Sequence, residues 1–571
     1  MKPKSSNLFC CHLAAVSLAL TCATHAANLW DGGGADSNWN TAANWDNDTV
    51  PTSPAALTFD GGAQLSNSNN LTGFTASGLT FNTGAGSFAI SGNTLTLAGD
   101  IVNNSTSLQT INAGLTLTAA RTVNAASGNI ALAGPVTGAF GLIKTGAGKL
   151  TLSGTGGTSQ LSIGNAAVGG TVEITGGAWT QSGSVASVGL IVGTGNNGAG
   201  ALTISGGTHT FGGDGYNNAV RIGTAQGNTV ATTGSITVTG GTLKIGTTGA
   251  LDASVNLGTA MNTGSSNGAL TISGGSVEVG RRVLMGANST TNLASLTISG
   301  TGTLNMVRTG SNAEGDLGMV RLGSGATTVN FDGGTYIATG FHSSTATNTS
   351  TVNFNGTEIR ANASGGSFGN GGAAVFRVQS GGLVFNSNGF NSTIASPLVS
   401  SLTTTGNLTK NGAGTLTLTA ANTFTGSLNV NAGTLALTTG TVPVTAVVNV
   451  ADSASLVTNN STGRTFGAVT LGNGAGWSGL TGVAVGSPRA TVTGALAFGS
   501  SAGPGRIVEW PDLGGWCSGC HPGRQHYRQP GFDCGLGFGG AWYLRLRRSM
   551  VTRCRSPSLP SAHPWSGTMR L

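Results

Sequence analysis

Residues 407–440 read NLTKNGAGTLTLTAANTFTGSLNVNAGTLALTTG. Leu416, Leu418, Leu428, Val430, Leu435 and Leu437 alternate mainly with Thr and Asn, and Gly or Asn separates the short runs. A period of two with turn residues between the runs predicts strand, turn, strand, turn. Thr and the β-branched residues suit a pleated surface. Gly412, Gly414, Gly426 and Gly433 supply residues able to take a positive φ at a tight corner.

A shorter copy stands upstream at 141–156, GLIKTGAGKLTLSGTG, in which Lys144 matches Lys410 and Leu150 and Leu152 match Leu416 and Leu418. Leu408 to Leu435 closely resembles the autotransporter-associated β-strand repeat, whose members carry a phrase like LTKxGxGTLTLxGxNTYTGxTxVNxGTL; Ala420 and Ala421 stand where Gly and a small residue are usual. The likeness is close over the two GAGxLTL copies and holds in style over most of 28–500. It implies a bacterial β-solenoid, export, and kinship with surface passenger regions. No ligand specificity comes with it.

Residues 172–360 hold the clearest internal repeat. VEITGG at 172, LTISGG at 202, ITVTGG at 236, LTISGG at 270, LTISGT at 296, VNFDGG at 329 and VNFNGT at 352 recur at intervals of 30, 34, 34, 26, 33 and 23 residues. LIVG at 190, VRIG at 220, VNLG at 255, VLMG at 283 and VRLG at 320 fall between them. Periods of this size mark one supersecondary unit per repeat. In ITVTGGTLKIG, Ile236 and Val238 face inward, Gly240 and Gly241 turn the chain, and Leu243 and Ile245 resume the inward face. With VNLG this makes three strands per unit, and such units bury their apolar faces only by stacking. The expected fold is all-β: a right-handed parallel β-helix over 65–504, with handedness taken from the rule for parallel crossovers. About 20 rungs at 4.7–4.9 Å give a rod about 90 Å long. Thr210, Lys244 and Glu278 should share one outward slot, with Lys244 and Glu278 in salt-bridge reach, and Arg221, Asn256 and Arg321 should share another.

The flanks differ in composition. Residues 1–26 read as a secretory signal: Lys2 and Lys4, an apolar run from Leu8 to Leu20, and small residues at Thr24 and Ala26. Residues 27–64 contain Trp30, Trp39 and Trp45 among Asp31, Asp36, Asp46, Asp48 and Asp60, and are expected to cap the open end of the solenoid rather than to bind sugar or Ca²⁺. Residues 505–571 abandon the Thr alternation for Arg, Cys, Trp and Pro. Such residues are what GC-rich codons yield out of phase, so a frameshift near residue 503 and an irregular or disordered tail are expected. Neither a translocating barrel nor a sorting tail is legible there.

The 571 residues include 98 Gly, 38% hydrophobic and only 8% charged side chains. The formal charge of +7 resides in the two ends, while the body holds nearly equal numbers of acids and bases. No basic stripe interleaved with aromatics appears, which excludes a nucleic-acid footprint. Cysteines occur only at 10, 11 and 22 and at 517, 520, 534 and 554, so the body folds without disulfides, as stacked ladders permit.

No catalytic residue, metal site or cofactor is expected. CxxCH at Cys517, Cys520 and His521 has the form of a c-type haem attachment, and Cys517, Cys520, Cys534 and His526 could be set down as a zinc site, but both lie in the aberrant tail. GGDGYN at 212–217 approaches one calcium nonapeptide and is read as a plain Gly-rich corner. Glu314 and Asp316 with Arg308 and Arg321 form the densest charge cluster and are read as solvated. His209 and His342 have no evident nucleophile or metal partner. The resulting expectation is an exported, non-enzymatic, adhesin-like module at the bacterial surface or outside the cell. Its partners would be extracellular polysaccharide or other surface proteins, without nucleic acid and without a transmembrane helix. The competing readings are a polysaccharide-active β-helix lyase or glycosidase and, after it, a c-type haem protein.

Overall fold

The computed structural model describes residues 28–165, 169–181, 188–195, 197–212, 219–225, 231–246, 253–260, 265–288, 291–307, 319–343, 350–369, 374–401, 404–437, 441–443, 445–458 and 464–478, with strands at 490–492, 496–498, 533–536, 542–545 and 569–570. Residues 1–27 and most of 505–571 lie outside these residues.

The seven phrases of the internal repeat stack in parallel and in register. Val172 pairs with Leu202, Leu202 with Ile236, Ile236 with Leu270, Leu270 with Leu296, Leu296 with Val329 and Val329 with Val352. The second phrase does the same through Leu190, Val220, Val255, Val283 and Val320. The unequal intervals are therefore absorbed between strands, and the rungs stay aligned because a one-residue slip would turn every aliphatic side chain to water.

Each turn of the coil contributes to three sheets. The first contains Leu190–Thr194, Val220–Thr224, Val255–Leu257, Arg282–Met285 and Met319–Leu322. The second contains Ala199–Ile204, Thr232–Val238, Ser266–Ile272 and the first halves of Leu293–Met306 and Ala326–Ala338. The third contains Thr208–Phe211, Thr242–Ile245, Ser276–Val279 and the second halves of those two long strands. Upstream the coil continues to Asn28–Trp30, and downstream to Leu496–Phe498 on Ala468–Leu471.

The corner between the second and third sheets shows why Gly is repeated there. Gly207, Gly241 and Gly275 take φ of +82°, +69° and +62°. A Cβ on Gly241 would stand 2.5 Å from the Gly207 carbonyl oxygen one rung below. The inward columns are buried: Ile236, Val238, Leu243, Ile245, Leu416, Leu418, Leu428, Val430, Leu435 and Leu437 are at most 2% exposed. Each such side chain contributes about 1.5–3 kcal/mol on leaving water. Between 331 and 385 the filling becomes aromatic, with Phe331 stacked on Phe354 at 5.5 Å and 12°. Tyr336 fits inside because its hydroxyl donates to Gly340 O at 2.8 Å and accepts from Val320 N at 3.1 Å.

Beyond the coil, Asp533–Leu536 and Trp542–Arg545 form an antiparallel pair, and Met569–Arg570 runs antiparallel to Ala490–Val492.

Candidate functional surfaces

The outward slots of the three sheets differ in chemistry. On the third, Thr210 pairs with Lys244 and Lys244 with Glu278, as the spacing predicts. Lys244 Nζ lies 3.6 Å from Glu278 Oε2, with both side chains more than a third exposed. Such a pair contributes about 0–1 kcal/mol and serves chiefly as a marker of register. On the first sheet Arg221 pairs with Asn256 and, after Leu284, Arg321 occupies the same slot with His342 above it. Leu284 is an apolar interruption of that column.

The second sheet is different. Its central outward column runs Thr203, Thr237, Thr271, Thr297, Asn330 and Asn353. Two residues earlier in each strand runs a column of Ala201, Ser235, Ala269, Ser295, Thr328 and Thr351. Charge enters the central column only at Glu173 below Thr203 and at Arg377 above Asn353.

Two lysines point inward, which the sequence reading did not anticipate. Lys144 and Lys410 are 0% exposed. Lys144 Nζ donates to the carbonyls of Thr145 at 2.5 Å and Gly146 at 2.9 Å. Lys410 Nζ donates to Asn411 at 2.9 Å, Gly412 at 2.8 Å and, on the next rung, Ala432 at 3.0 Å. Burial lowers both ammonium pKa values to about 8. Strict parity was the available signal: Leu142 and Leu408 face inward, so Lys144 and Lys410, two residues on, must do the same.

His209 sits inside the coil between Trp179 and Leu243 and is 0% exposed. Its Nε2 is 2.7 Å from Gly206 O, and its Nδ1 accepts from Trp179 N at 3.3 Å, so the proton rests on Nε2. Burial pushes its pKa below the ordinary imidazole value. This is a neutral packing residue bonded on both nitrogens. His342, by contrast, is on the strand Gly340–Ser343 in register with Arg321.

At the N-terminal end Trp30, Trp39 and Trp45 are all 0% exposed. Trp30 meets Trp45 edge to face at 5.1 Å, and Trp39 meets Trp45 at 5.8 Å. Trp39 Nε1 donates to Asn67 Oδ1 and Trp45 Nε1 to Trp39 O, each at 2.8 Å. Rings so enclosed offer no platform for a sugar. The nearby carboxylates accept local donors: Asp31 from Gly33 N, Asp46 from Leu29 N, and Asp60 from Gly61 N and Asn82 Nδ2. The Thr41 hydroxyl and then Asn38 hold Asp36 below the usual carboxylate range.

Of the charge cluster named above, Arg321 alone is described; Arg308, Glu314 and Asp316 lie outside the described residues, as do 213–217 of the calcium-like loop. Cys517, Cys520, His521 and His526 also lie outside them, while Cys534 is on the strand Asp533–Leu536. Among the described residues no group of three or more His, Cys, Asp or Glu could hold a metal ion, and no helix is long and apolar enough to cross a membrane.

The passenger-associated-transport-repeat family matches residues 408–437. Its strands there form two consecutive rungs: Leu408 pairs with Leu428 and Lys410 with Val430, then Leu416 with Leu435 and Leu418 with Leu437. One copy of the repeat thus stacks its second half on its first. No curated protein and no solved structure matches the chain.

Proposed function

We propose that the chain is an exported, non-enzymatic β-solenoid that serves as a structural or adhesive module on the bacterial surface. The observation that carries this reading is the passenger-type repeat at 408–437, folded as two rungs of one continuous parallel coil. A coil of this kind is stiff because each rung is hydrogen-bonded to both neighbours, and its outward slots repeat at every rung. Many weak contacts along such a surface act together, so affinity grows with the number engaged.

The acids support a passive role. Glu173, Glu278 and Glu358 are held by Lys149, Lys244 and Arg360 respectively. Glu358 also accepts from Asn386 Nδ2 at 2.6 Å. A glycosidase needs two carboxyls about 5–10 Å apart and free to act on one bond.

The test has two arms. Intact bacteria producing the full chain are treated with an external protease, which should remove it while cytoplasmic markers survive. The purified chain is then incubated with a panel of polysaccharides, and saturable binding without product is expected. Protection from the protease would remove the surface assignment. New reducing ends or unsaturated sugars would establish an enzyme instead.

A further inference from the structure

We propose that residues 28–48 form an autoinhibitory end-block, which occupies the backbone edges of the first rung and keeps the N-terminal end of the coil from joining the far end of a second copy of this chain. This role is independent of the surface role proposed above.

Inside a parallel coil each strand is bonded on both sides, but a terminal strand presents unused N–H and C=O groups that template another strand. At this end those groups are taken. Asn28–Trp30 pairs with Ala55–Phe59 in the first sheet, and its other side is closed by one short segment. Leu29 N–H donates to Asp46 Oδ1 at 2.9 Å, and the N–H groups of Asp31 and Gly32 donate to Asn44 O at 3.1 and 3.2 Å. In the second sheet the lowest strand is Ser66–Asn69, where Ser68 N–H donates to Ser37 O at 2.9 Å and Ser68 O accepts from Trp39 N–H at 3.0 Å. Ahead of Ala55–Phe59, Pro51 and Pro54 bring no N–H, and Ala56 O accepts from Asn28 Nδ2 at 3.1 Å.

The block does not hand the edge on to a further strand. Asn47 and Asp48 take φ of +60° and +47°, a left-handed pair outside the range of any strand. The block also carries exposed Asp31, Asp36 and Asp48, and residues 27–120 contain no Lys, Arg or His to neutralise them. A docking strand would dehydrate these carboxylates and supply no counter-charge from its own backbone.

Two side chains hold the block in place. Buried Asn44 donates through Nδ2 to Asp36 O at 2.8 Å and Asn38 O at 3.0 Å and accepts from Gly34 N–H at 3.0 Å, which fixes the loop that covers Ser68. Asp46 supplies the acceptor for Leu29. Trp30, Trp39 and Trp45 each meet Phe59 with ring centroids 6.1–6.5 Å apart, so a lifted block bares aromatic surface as well as edge. The occupant that fits a bared end is another coil of the same kind. The last described strand of the first sheet, Gly476–Ser478, lies parallel on Ser455–Val457, so the far end of a second copy continues the same parallel sheet. Joining two non-equivalent ends leaves an end for the next copy, and a filament results.

The experiment compares the purified full chain with its Asn44→Ala, Asp46→Ala double variant by sedimentation over a range of concentrations and by electron microscopy. At the highest concentration the weight-average mass of the double variant should exceed that of the wild type by more than about twofold, with filaments in the micrographs. Asp60→Ala removes a carboxylate that accepts from Gly61 N–H and Asn82 Nδ2 between the first two strands of the rung, and should match the wild type. The proposal is overturned if the double variant keeps its β-type circular dichroism and the wild-type mass at every concentration, or if Asp60→Ala associates equally. A mass that stops at two copies means that equivalent ends have met, and overturns head-to-tail joining. Should the double variant lose its dichroism, Asp46→Ala alone decides, because it frees Leu29 N–H with the smaller disturbance: concentration-dependent association supports the block, and the wild-type mass overturns it.

Discussion

The two lysine-bearing phrases have nearly the same sequence and sit on different edges of the coil. Gly141–Thr145 belongs to the first sheet and Lys149–Leu152 to the second. Leu408–Asn411 belongs to the third sheet and Thr415–Leu418 to the first. Even so, each lysine bends back onto the carbonyls of its own corner. The phrase therefore specifies a type of corner, independent of its place around the coil. The middle repeats make a corner without a lysine, through Gly-Gly at 206–207, 240–241 and 274–275.

Removing the ammonium should separate the two copies. Lys410→Ala leaves three partly buried carbonyls without their donor and opens a cavity, and is expected to cost about 3–5 kcal/mol. Lys144→Ala leaves two and should cost less, because no carbonyl of a neighbouring rung is involved. Denaturant midpoints of the two variants measure the difference, and equal midpoints would mean that the tie to Ala432 is idle.

The second effect is a pH dependence of unusual sign. Both folded lysines titrate at about 8, below the unfolded value of 10.5. Between those values the unfolded chain binds more protons, so stability should rise with pH by up to about 1.4 kcal/mol per pH unit for each lysine. Below about pH 8 this contribution is flat. Lys144→Met and Lys410→Met should each remove its share of the slope, and an unchanged slope in both variants would show that other groups produce it.

His209 gives a smaller change on the acid side. Its folded pKa is depressed by burial, so stability is present above about 6.5 and is lost as pH falls and the unfolded chain takes up the proton. His209→Leu, which copies the Leu243 one rung above, should flatten that acid limb in thermal melts between pH 7 and pH 5, and an unchanged limb would show that other groups produce it. The smallest effect belongs to the exposed pair: Lys244→Ala should change stability by less than about 1 kcal/mol at low salt and by nothing measurable at high salt.

Much of this fold is legible in the sequence because parity and spacing are local quantities. The inward columns at 236–245 and 416–437 and the Lys244–Glu278 contact all follow from counting by twos and matching phrases. The inward lysines did not, because in GLIKTG the apolar Ile143 draws the eye although it is the half-exposed residue and Lys144 the buried one. Composition argues against a lysine inside; parity requires it. The outward column of the second sheet was invisible for another reason. Thr203, Thr237 and Thr271 are ordinary strand residues one at a time, and their alignment in one column between Glu173 and Arg377 is set by the register. Assigning that column needs the register of every rung between.

The self-stacking of residues 408–437 has a bearing on how such a chain changes length over evolution. Because the later half of the unit rests on the earlier half, gain or loss of one whole winding leaves a seam chemically equivalent to the one it replaces. Duplication or excision of genes in such steps would adjust reach in increments of about 5 Å while the cap at one end stays untouched. The polymer is in that sense a gauge graduated in single strand widths.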